Sequence, residues 1–218
     1  HAGVQWAGAM TRIGQHNWPH QITPTVDELL RGVSDMTGLR YERDNPDLID
    51  ALVAAMGPAA RFVSATVKNT TNPTQLKAGY KVNVIPQAAE ATVDARFLPG
   101  FEEQGLATLR ELAGPHVRVE PLVQHIALEA PFSGNLVDAM CAALIEFDPG
   151  ARVLPYSLSG GTDNKSLHAL GITGYGFAPL QLPPELDFPA MFHGVDERVP
   201  ISALTFGVQV LDRLLATC

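Results

Sequence analysis

Three short segments in the first half of the chain alternate apolar and polar side chains, which is the two-residue period of a half-buried β-strand. They are residues 61–69, 80–86 and 91–100. The last two are joined by PQAAE, a stretch short enough for an antiparallel hairpin. Because each segment has one apolar and one polar face, the pattern requires a sheet that is covered on one side.

Helical spacing of apolar residues predicts helices around these strands. One helix begins close to the N-terminus, helices occupy residues 25–57 with Thr25 as an N-cap, and another helix follows residue 101. A further strand is predicted at residues 117–123. This order of elements indicates a small α+β sandwich, in which helices cover one face of the sheet.

A change of pattern near residue 130 predicts a domain boundary between residues 1–128 and 129–218. The second part alternates helices and strands: a helix capped by Ser133, a strand at residues 152–157, a helix from Asp163, a strand at residues 172–177 and a final helix. Such α/β folds gather their functional sites at the carboxyl ends of the strands.

Composition excludes several classes of function. The formal net charge is −8 and only 17% of the residues are charged, so a nucleic-acid partner is not expected. No apolar run reaches the roughly 20 residues that span a bilayer, and the N-terminus lacks the pattern of a secretion signal. Cys141 and Cys218 are too few for a disulfide framework or a cysteine-rich zinc site. We therefore expect a soluble, cytoplasmic protein without a membrane partner.

The loop at residues 159–164 is the first candidate for chemistry. Its two glycines let the backbone approach a ligand, and Thr162 and Asp163 stand at a predicted helix N-terminus, where exposed N–H groups attract anions. The alternative is an ordinary tight turn between a strand and a helix, with Asp163 as the N-cap. The pattern alone does not decide between them.

His193, on a glycine turn within residues 191–200, is the second candidate. It can hold a metal, act as a base or be an ordinary loop residue, and one imidazole cannot hold zinc without two or three further ligands. Asp196 and Glu197 can equally be solvated loop charges. A nucleophile–base pair of Ser159 and His193 is disfavoured, because Ser159 lacks the G-x-S-x-G context that such hydrolases use.

Three sequence blocks resemble a known family. NVIPQAAEATVDARFLPG, SGGTDNKSLHALGI and FHGVDERVPISAL occur in the order and spacing seen in the dinuclear zinc exopeptidases and deacylases. That family includes acetylornithine deacetylase, succinyl-diaminopimelate desuccinylase, carnosinase and bacterial dipeptidases, and its catalytic domain is interrupted by a lid or dimerisation domain. The resemblance implies that residues 1–128 form this lid, a ferredoxin-like α+β sandwich. Residues 129–218 would then be the C-terminal part of the α/β catalytic domain.

The same resemblance implies roles for two histidines. His193 corresponds to a ligand of one of two zinc ions, with cobalt or manganese as alternative metals. His1, in the context HAGV, matches a lid histidine that stabilises the oxyanion, and it is therefore the candidate catalytic residue. The family's other ligands and its glutamate base precede the lid and are not found in this sequence. We therefore expect a fragment that is inactive by itself.

The resemblance also implies how substrate is bound. Asn83 and Arg96 of the lid would hold a carboxylate or carbonyl of the substrate, and Gly160, Gly161 and Thr162 would border the cleft. Small peptides or N-acyl amino acids are the expected substrates, and a homodimer through the lid is the expected assembly. Two functions stay open: part of a zinc-dependent peptidase or amidohydrolase, or a non-catalytic dimerisation and binding module that lacks the metal-binding half.

Overall fold

The computed structural model describes residues 2–217, and these form two compact units. Within the described residues, the first unit comprises residues 2–21 and 67–128, and the second comprises residues 22–66 and 129–217. The predicted domain boundary after residue 128 is one of the places where the chain passes from one unit to the other. The division into a lid and part of a catalytic domain stays a prediction.

The described residues contain eight α-helices and two β-strands. They are α1 (Ala2–Gln15), α2 (Pro24–Thr37), α3 (Pro46–Ala55), α4 (Ala60–Val63), β1 (Thr70–Ala78), β2 (Ala89–Arg96), α5 (Glu102–Ala113), α6 (Asn135–Phe147), α7 (Asn164–Ala169) and α8 (Ile201–Thr217). Short 3₁₀ helices lie at Gly57–Ala59 and Phe188–Met191. Within residues 2–217, none of the helices combines the length and the apolar character that crossing a membrane requires.

The first unit is a two-stranded antiparallel sheet with helices packed beside it. Thr70 of β1 lies opposite Arg96 of β2, and Ala78 lies opposite Ala89. α1 contacts both strands and α5. The buried apolar residues of this unit are Ala9, Ile13, Trp18, Val67, Leu98, Leu109 and Ala113. The predicted combination of a small antiparallel sheet with helices is thus confirmed.

Two buried hydrogen bonds fix the chain where it enters and leaves this sheet. The Trp18 indole Nε1–H donates to Thr71 Oγ1 at 3.1 Å. The Leu98 backbone N–H donates to Asn69 Oδ1 at 2.8 Å. Because buried polar groups are costly without a partner, these bonds help to fix the start of β1 and the segment that follows β2.

Only one of the predicted strands is confirmed, the one at residues 91–100, which overlaps β2 over residues 91–96. The other predicted segments contain no strand within residues 2–217: 61–69, 80–86, 117–123, 152–157 and 172–177. The partner of β2 is β1, which the alternation pattern missed. Its sequence TTNPTQLKA contains a proline and no continuous apolar face, so it does not read as a strand.

The wrong strand assignments have a physical reason. Val63 is buried at the end of α4, and Val67 is buried after the turn residues that follow this helix. Apolar residues at alternate positions are thus buried here by different elements, without forming a strand. Val82 is fully exposed, so the alternation in its segment has no core to face and builds only a turn.

The helices of the second unit are confirmed with shifted ends. α2 has Thr23 rather than Thr25 as its N-cap, and it ends at Gly38, whose φ of 73° is left-handed. α3 begins after Asn45, whose side chain accepts a backbone N–H at 3.3 Å. Both helices predicted within residues 25–57 are therefore present, with a non-helical connection between them.

α6 and α8 share a separate core in the second unit. Gly134 is the N-cap of α6, in place of the predicted Ser133. The buried residues of this core are Val137, Met140, Ala143, Val210 and Leu214.

Gly105 of α5 provides a test of packing in the first unit. A Cβ atom built on Gly105 would lie 2.4 Å from the ring of Phe97, too close for any van der Waals contact. Gly105→Ala is therefore expected to lower the free energy of unfolding by about 1–3 kcal/mol, as overpacking does. Urea and thermal denaturation would measure the change.

Gly14→Ala is the matched control. Gly14 also lies in a helix, but a Cβ atom there would have no heavy atom within 4 Å. This substitution is expected to be neutral or to stabilise by up to about 1 kcal/mol, because alanine favours helix more than glycine does. Equal effects of the two substitutions would contradict the contact between α5 and Phe97.

Candidate functional site

His193 lies in a tight turn between the 3₁₀ helix at Phe188–Met191 and α8. Its φ is 59°, and it is the one non-glycine residue with positive φ in the described part of the chain. Such a conformation costs on the order of 1–3 kcal/mol outside glycine and persists where surrounding structure enforces it. His193 itself is exposed. The turn therefore holds an imidazole toward solvent in a constrained backbone conformation.

Hydrogen bonds inside the turn account for this conformation. The Gly194 N–H donates to the Met191 carbonyl oxygen at 2.9 Å. The His193 N–H donates to Glu197 Oε2 at 3.1 Å. Hydrogen bonds to a charged acceptor are stronger than neutral ones, so the Glu197 carboxylate is a substantial part of what fixes the turn.

Four aromatic residues, called the aromatic cluster below, hold the start of the turn: Phe62, Tyr156, Phe188 and Phe192. The ring centroid of Phe192 lies 5.1 Å from that of Phe188 and 5.8 Å from that of Phe62. Phe62 in turn lies 5.7 Å from Tyr156. Inclined ring pairs at such distances are favourable. Through Phe62, the cluster links Phe192, which precedes His193, to Tyr156, which lies just before the loop at residues 159–164.

An ion pair anchors the same region. Arg61 Nε donates to Asp187 Oδ2 at 3.0 Å, and Asp187 Oδ1 accepts the Ala190 N–H at 3.3 Å. The two charged side chains are 61% and 39% exposed, and an exposed pair of this kind contributes at most about 1 kcal/mol. The aromatic cluster therefore contributes more to the position of the turn than the ion pair does.

The predicted substrate loop is exposed in the structure. Gly160 lies in a bend, and Gly161 and Thr162 continue in irregular backbone to α7; all three are exposed. A Cβ atom on Gly161 would meet no heavy atom within 4 Å, so packing within the unit does not require glycine there. Asp163 occupies the N-cap position of α7, but its side chain makes no capping hydrogen bond. The backbone of this loop is accessible to a ligand.

Asn83 and Arg96 are not on neighbouring strands as predicted. Asn83 is exposed in the turn that connects β1 and β2, whereas Arg96 ends β2 opposite Thr70. At about 3.3 Å per residue, β2 extends roughly 25 Å from the end of this turn to Arg96. Arg96 Nε lies 3.0 Å from Asp94 Oδ2, and the Arg96 side chain is 54% exposed. The structure does not bring the two side chains together within one chain.

The described residues do not fit a complete metal site. No group of three or more His, Cys, Asp or Glu side chains that could hold a metal occurs within residues 2–217. His193 can serve as one metal ligand, because it is exposed on a fixed turn. A zinc site needs at least two further protein ligands. His1, the candidate catalytic residue, lies outside the described residues.

Reasoning from sequence missed Glu197, Arg61 and Phe62. The sequence suggested that Glu197 is a solvated charge. Its position four residues after His193, however, allows the carboxylate to accept the N–H of His193, much as the glutamate of a capping box does. Arg61 and Phe62 fell in a segment predicted as a strand. Their partners Asp187 and Phe192 lie more than a hundred positions away, and no local pattern signals such contacts.

Comparison with known proteins identifies a domain in this chain. A family model for the M20 peptidase dimerisation domain matches residues 47–118. The human N-fatty-acyl-amino acid synthase/hydrolase PM20D1 is 29% identical over 177 residues, which are 78% of this chain and 35% of that protein. Human aminoacylase-1 is 29% identical over 153 residues, 67% of this chain and 36% of that enzyme.

A bacterial relative matches more of the chain. A Mycobacterium tuberculosis protein named as a succinyl-diaminopimelate desuccinylase, DapE, is 27% identical over 197 residues, 85% of this chain and 52% of that protein. The chain thus spans about a third to a half of the length of these relatives. No solved structure matches significantly. These findings confirm the resemblance drawn from the three sequence blocks: residues 47–118 match an M20 peptidase dimerisation domain, and the chain is similar to a fatty-acyl-amino acid synthase/hydrolase, an aminoacylase and a desuccinylase.

Proposed function

We propose that this chain supplies the dimerisation domain and the C-terminal part of the catalytic domain of a metal-dependent amidohydrolase. The match over residues 47–118 supports the assignment of the dimerisation domain. The three relatives are named for a fatty-acyl amino acid, for aminoacylase activity and for removal of a succinyl group. N-acyl amino acids, or dipeptides with the same amide and carboxylate, are therefore the proposed substrates.

The His193 turn carries this proposal. It combines an exposed imidazole, a left-handed non-glycine backbone and a hydrogen bond from the His193 N–H to Glu197. Strained backbone of this kind clusters at functional sites. It occurs in the sequence block in which the family resemblance implies a zinc ligand, so a single metal ligand is the role that fits His193 best. Zinc, with cobalt or manganese as alternatives, is the proposed metal, and its other ligands would come from outside residues 2–217.

The substrate contacts belong to the same proposal. Arg96 offers a guanidinium that can bind a carboxylate with two parallel hydrogen bonds. Asn83, in the connecting turn, and the accessible backbone at Gly160, Gly161 and Thr162 are the other proposed contacts. Because Asn83 and Arg96 lie at opposite ends of the hairpin, we propose that they contact different parts of the substrate or different molecules in the assembly.

We further propose a cytoplasmic homodimer whose first unit is a lid of the ferredoxin-like type. Both strands of the sheet in the described residues have one unpaired edge, and an exposed edge can pair with its twin across a two-fold axis. The presence of a peptidase dimerisation domain supports the self-association.

The alternative is a dimerisation and binding module without catalysis. Both functions predict that residues 2–217 hold no metal-binding group of three or more side chains, and none occurs there. Metal content separates the two functions, because only the enzyme requires a bound metal.

The purified 218-residue chain is expected to retain less than about 0.1 equivalent of zinc after dialysis, because it offers a single ligand and most zinc sites need three or four. It is also expected to release no amine from N-acyl amino acids or dipeptides. Elemental analysis and an amine-release assay would measure both.

The protein expressed from the complete reading frame is the positive control. It is expected to hydrolyse an N-acyl amino acid, to lose activity with a chelator and to regain it with added zinc. Chelator-sensitive turnover by the 218-residue chain would contradict the proposed division of the site. A longer protein without metal or turnover would favour the binding module.

A further inference from the structure

We propose that Glu197 is a positioning residue for His193, whose carboxylate holds the His193 backbone N–H and thereby fixes the direction of the imidazole. The functional meaning of this role rests on the proposed function, in which His193 is a metal ligand. The contact itself, from the His193 N–H to Glu197 Oε2 at 3.1 Å, belongs to the 218-residue chain and is independent of any metal or substrate.

The hydrogen bonds on either side of His193 show why a side chain is needed. The N–H of Phe192 donates to the Pro189 carbonyl at 3.4 Å, and the N–H of Gly194 donates to the Met191 carbonyl at 2.9 Å. These neighbours use backbone acceptors, whereas His193 uses the carboxylate of Glu197. The left-handed φ of 59° at His193 is unfavourable for a non-glycine residue, so a compensating contact is required at this position.

The turn is fixed from two directions. On the N-terminal side, Phe192 packs between Phe62 and Phe188 with ring distances of 5.8 and 5.1 Å. On the C-terminal side, Glu197 closes the turn, and its own N–H donates to the Gly194 carbonyl at 3.4 Å. Phe192 thus sets where the turn begins, and Glu197 sets the backbone angle from which the His193 side chain projects.

The neighbouring Asp196 provides a matched control. It carries the same charge one position earlier, and its backbone carbonyl accepts Arg198 Nη1 at 3.0 Å. Asp196→Ala therefore removes one negative charge from the same turn while leaving the Glu197 carboxylate in place. Glu197→Gln is the conservative variant, because its amide oxygen can still accept the His193 N–H without a charge.

The test is nuclear magnetic resonance on the isotope-labelled 218-residue chain. Glu197→Ala is expected to speed exchange of the His193 amide hydrogen about tenfold, as loss of a hydrogen bond to a charged acceptor implies. The three-bond coupling between the His193 amide and Hα protons, which reports φ, is expected to move away from its wild-type value. Glu197→Gln should restore most of the exchange protection and the coupling, and Asp196→Ala should leave both unchanged.

The melting temperature distinguishes positioning from general stability. It is expected to move little in all three variants, because the turn is exposed. Unchanged exchange and coupling in Glu197→Ala would overturn the proposal, as would equal changes in Asp196→Ala. These measurements involve neither metal nor substrate, so failure of the proposed enzymatic function would appear separately, in the assay of the longer protein.

Discussion

Replacing His193 with alanine in the protein expressed from the complete reading frame is expected to lower kcat/KM for an N-acyl amino acid by more than about a hundredfold. Residues that merely support a metal ligand already contribute about 10–100-fold, and a ligand should contribute more. The zinc content per subunit is expected to fall in parallel. Steady-state kinetics and elemental analysis of the dialysed protein would measure the two effects.

His125→Ala is the matched control for this substitution. His125 is also an exposed histidine, but it lies outside the three sequence blocks and away from the His193 turn in the sequence. Its replacement is expected to leave kinetics and metal content unchanged. Wild-type turnover in the His193→Ala protein would contradict the metal-ligand role and would leave His193 as an ordinary residue in a strained turn.

The helices could be predicted from the sequence because their signals are local. Gly38 marks the end of α2, and the pair Asn45–Pro46 marks the start of α3. Only β2 could be predicted from its alternation, because a strand needs a partner and local alternation does not identify that partner. β1 contains Pro73 and few apolar residues, yet it pairs with β2 along nearly its whole length.

The candidate site shows the same limit. The His193 block could be recognised from its sequence, and the structure adds that the residue occupies a constrained, exposed turn. The contacts that constrain it come from distant positions, such as Phe62 against Phe192, and from a carboxylate that reads as ordinary surface charge, Glu197. The sequence pattern can identify His193 as a candidate functional residue. It cannot predict how the residue is oriented, because that depends on tertiary contacts.

Arg96→Ala in the longer protein is expected to lower kcat/KM by about tenfold or more, because a charge-assisted hydrogen bond to substrate contributes about 1.5–3 kcal/mol. The melting temperature should barely change, since the ion pair with Asp94 is exposed and such pairs contribute at most about 1 kcal/mol. Arg118→Ala is the control. Arg118 is also an exposed arginine paired with a carboxylate two residues away, Glu120 at 3.1 Å, and its loss should not affect kinetics.

Mixing two defective proteins then tests whether Arg96 of one subunit serves the site of the other. One parent carries Arg96→Ala and the other His193→Ala. If Arg96 of one subunit serves the site that contains His193 of the other, each heterodimer has one site with both residues intact. Random exchange makes half of the dimers heterodimers, so roughly a quarter of all sites would be intact, and activity should rise well above the average of the two parents. Activity equal to that average, in a mixture that native mass spectrometry shows to contain heterodimers, would contradict sharing and would confine both roles to one subunit.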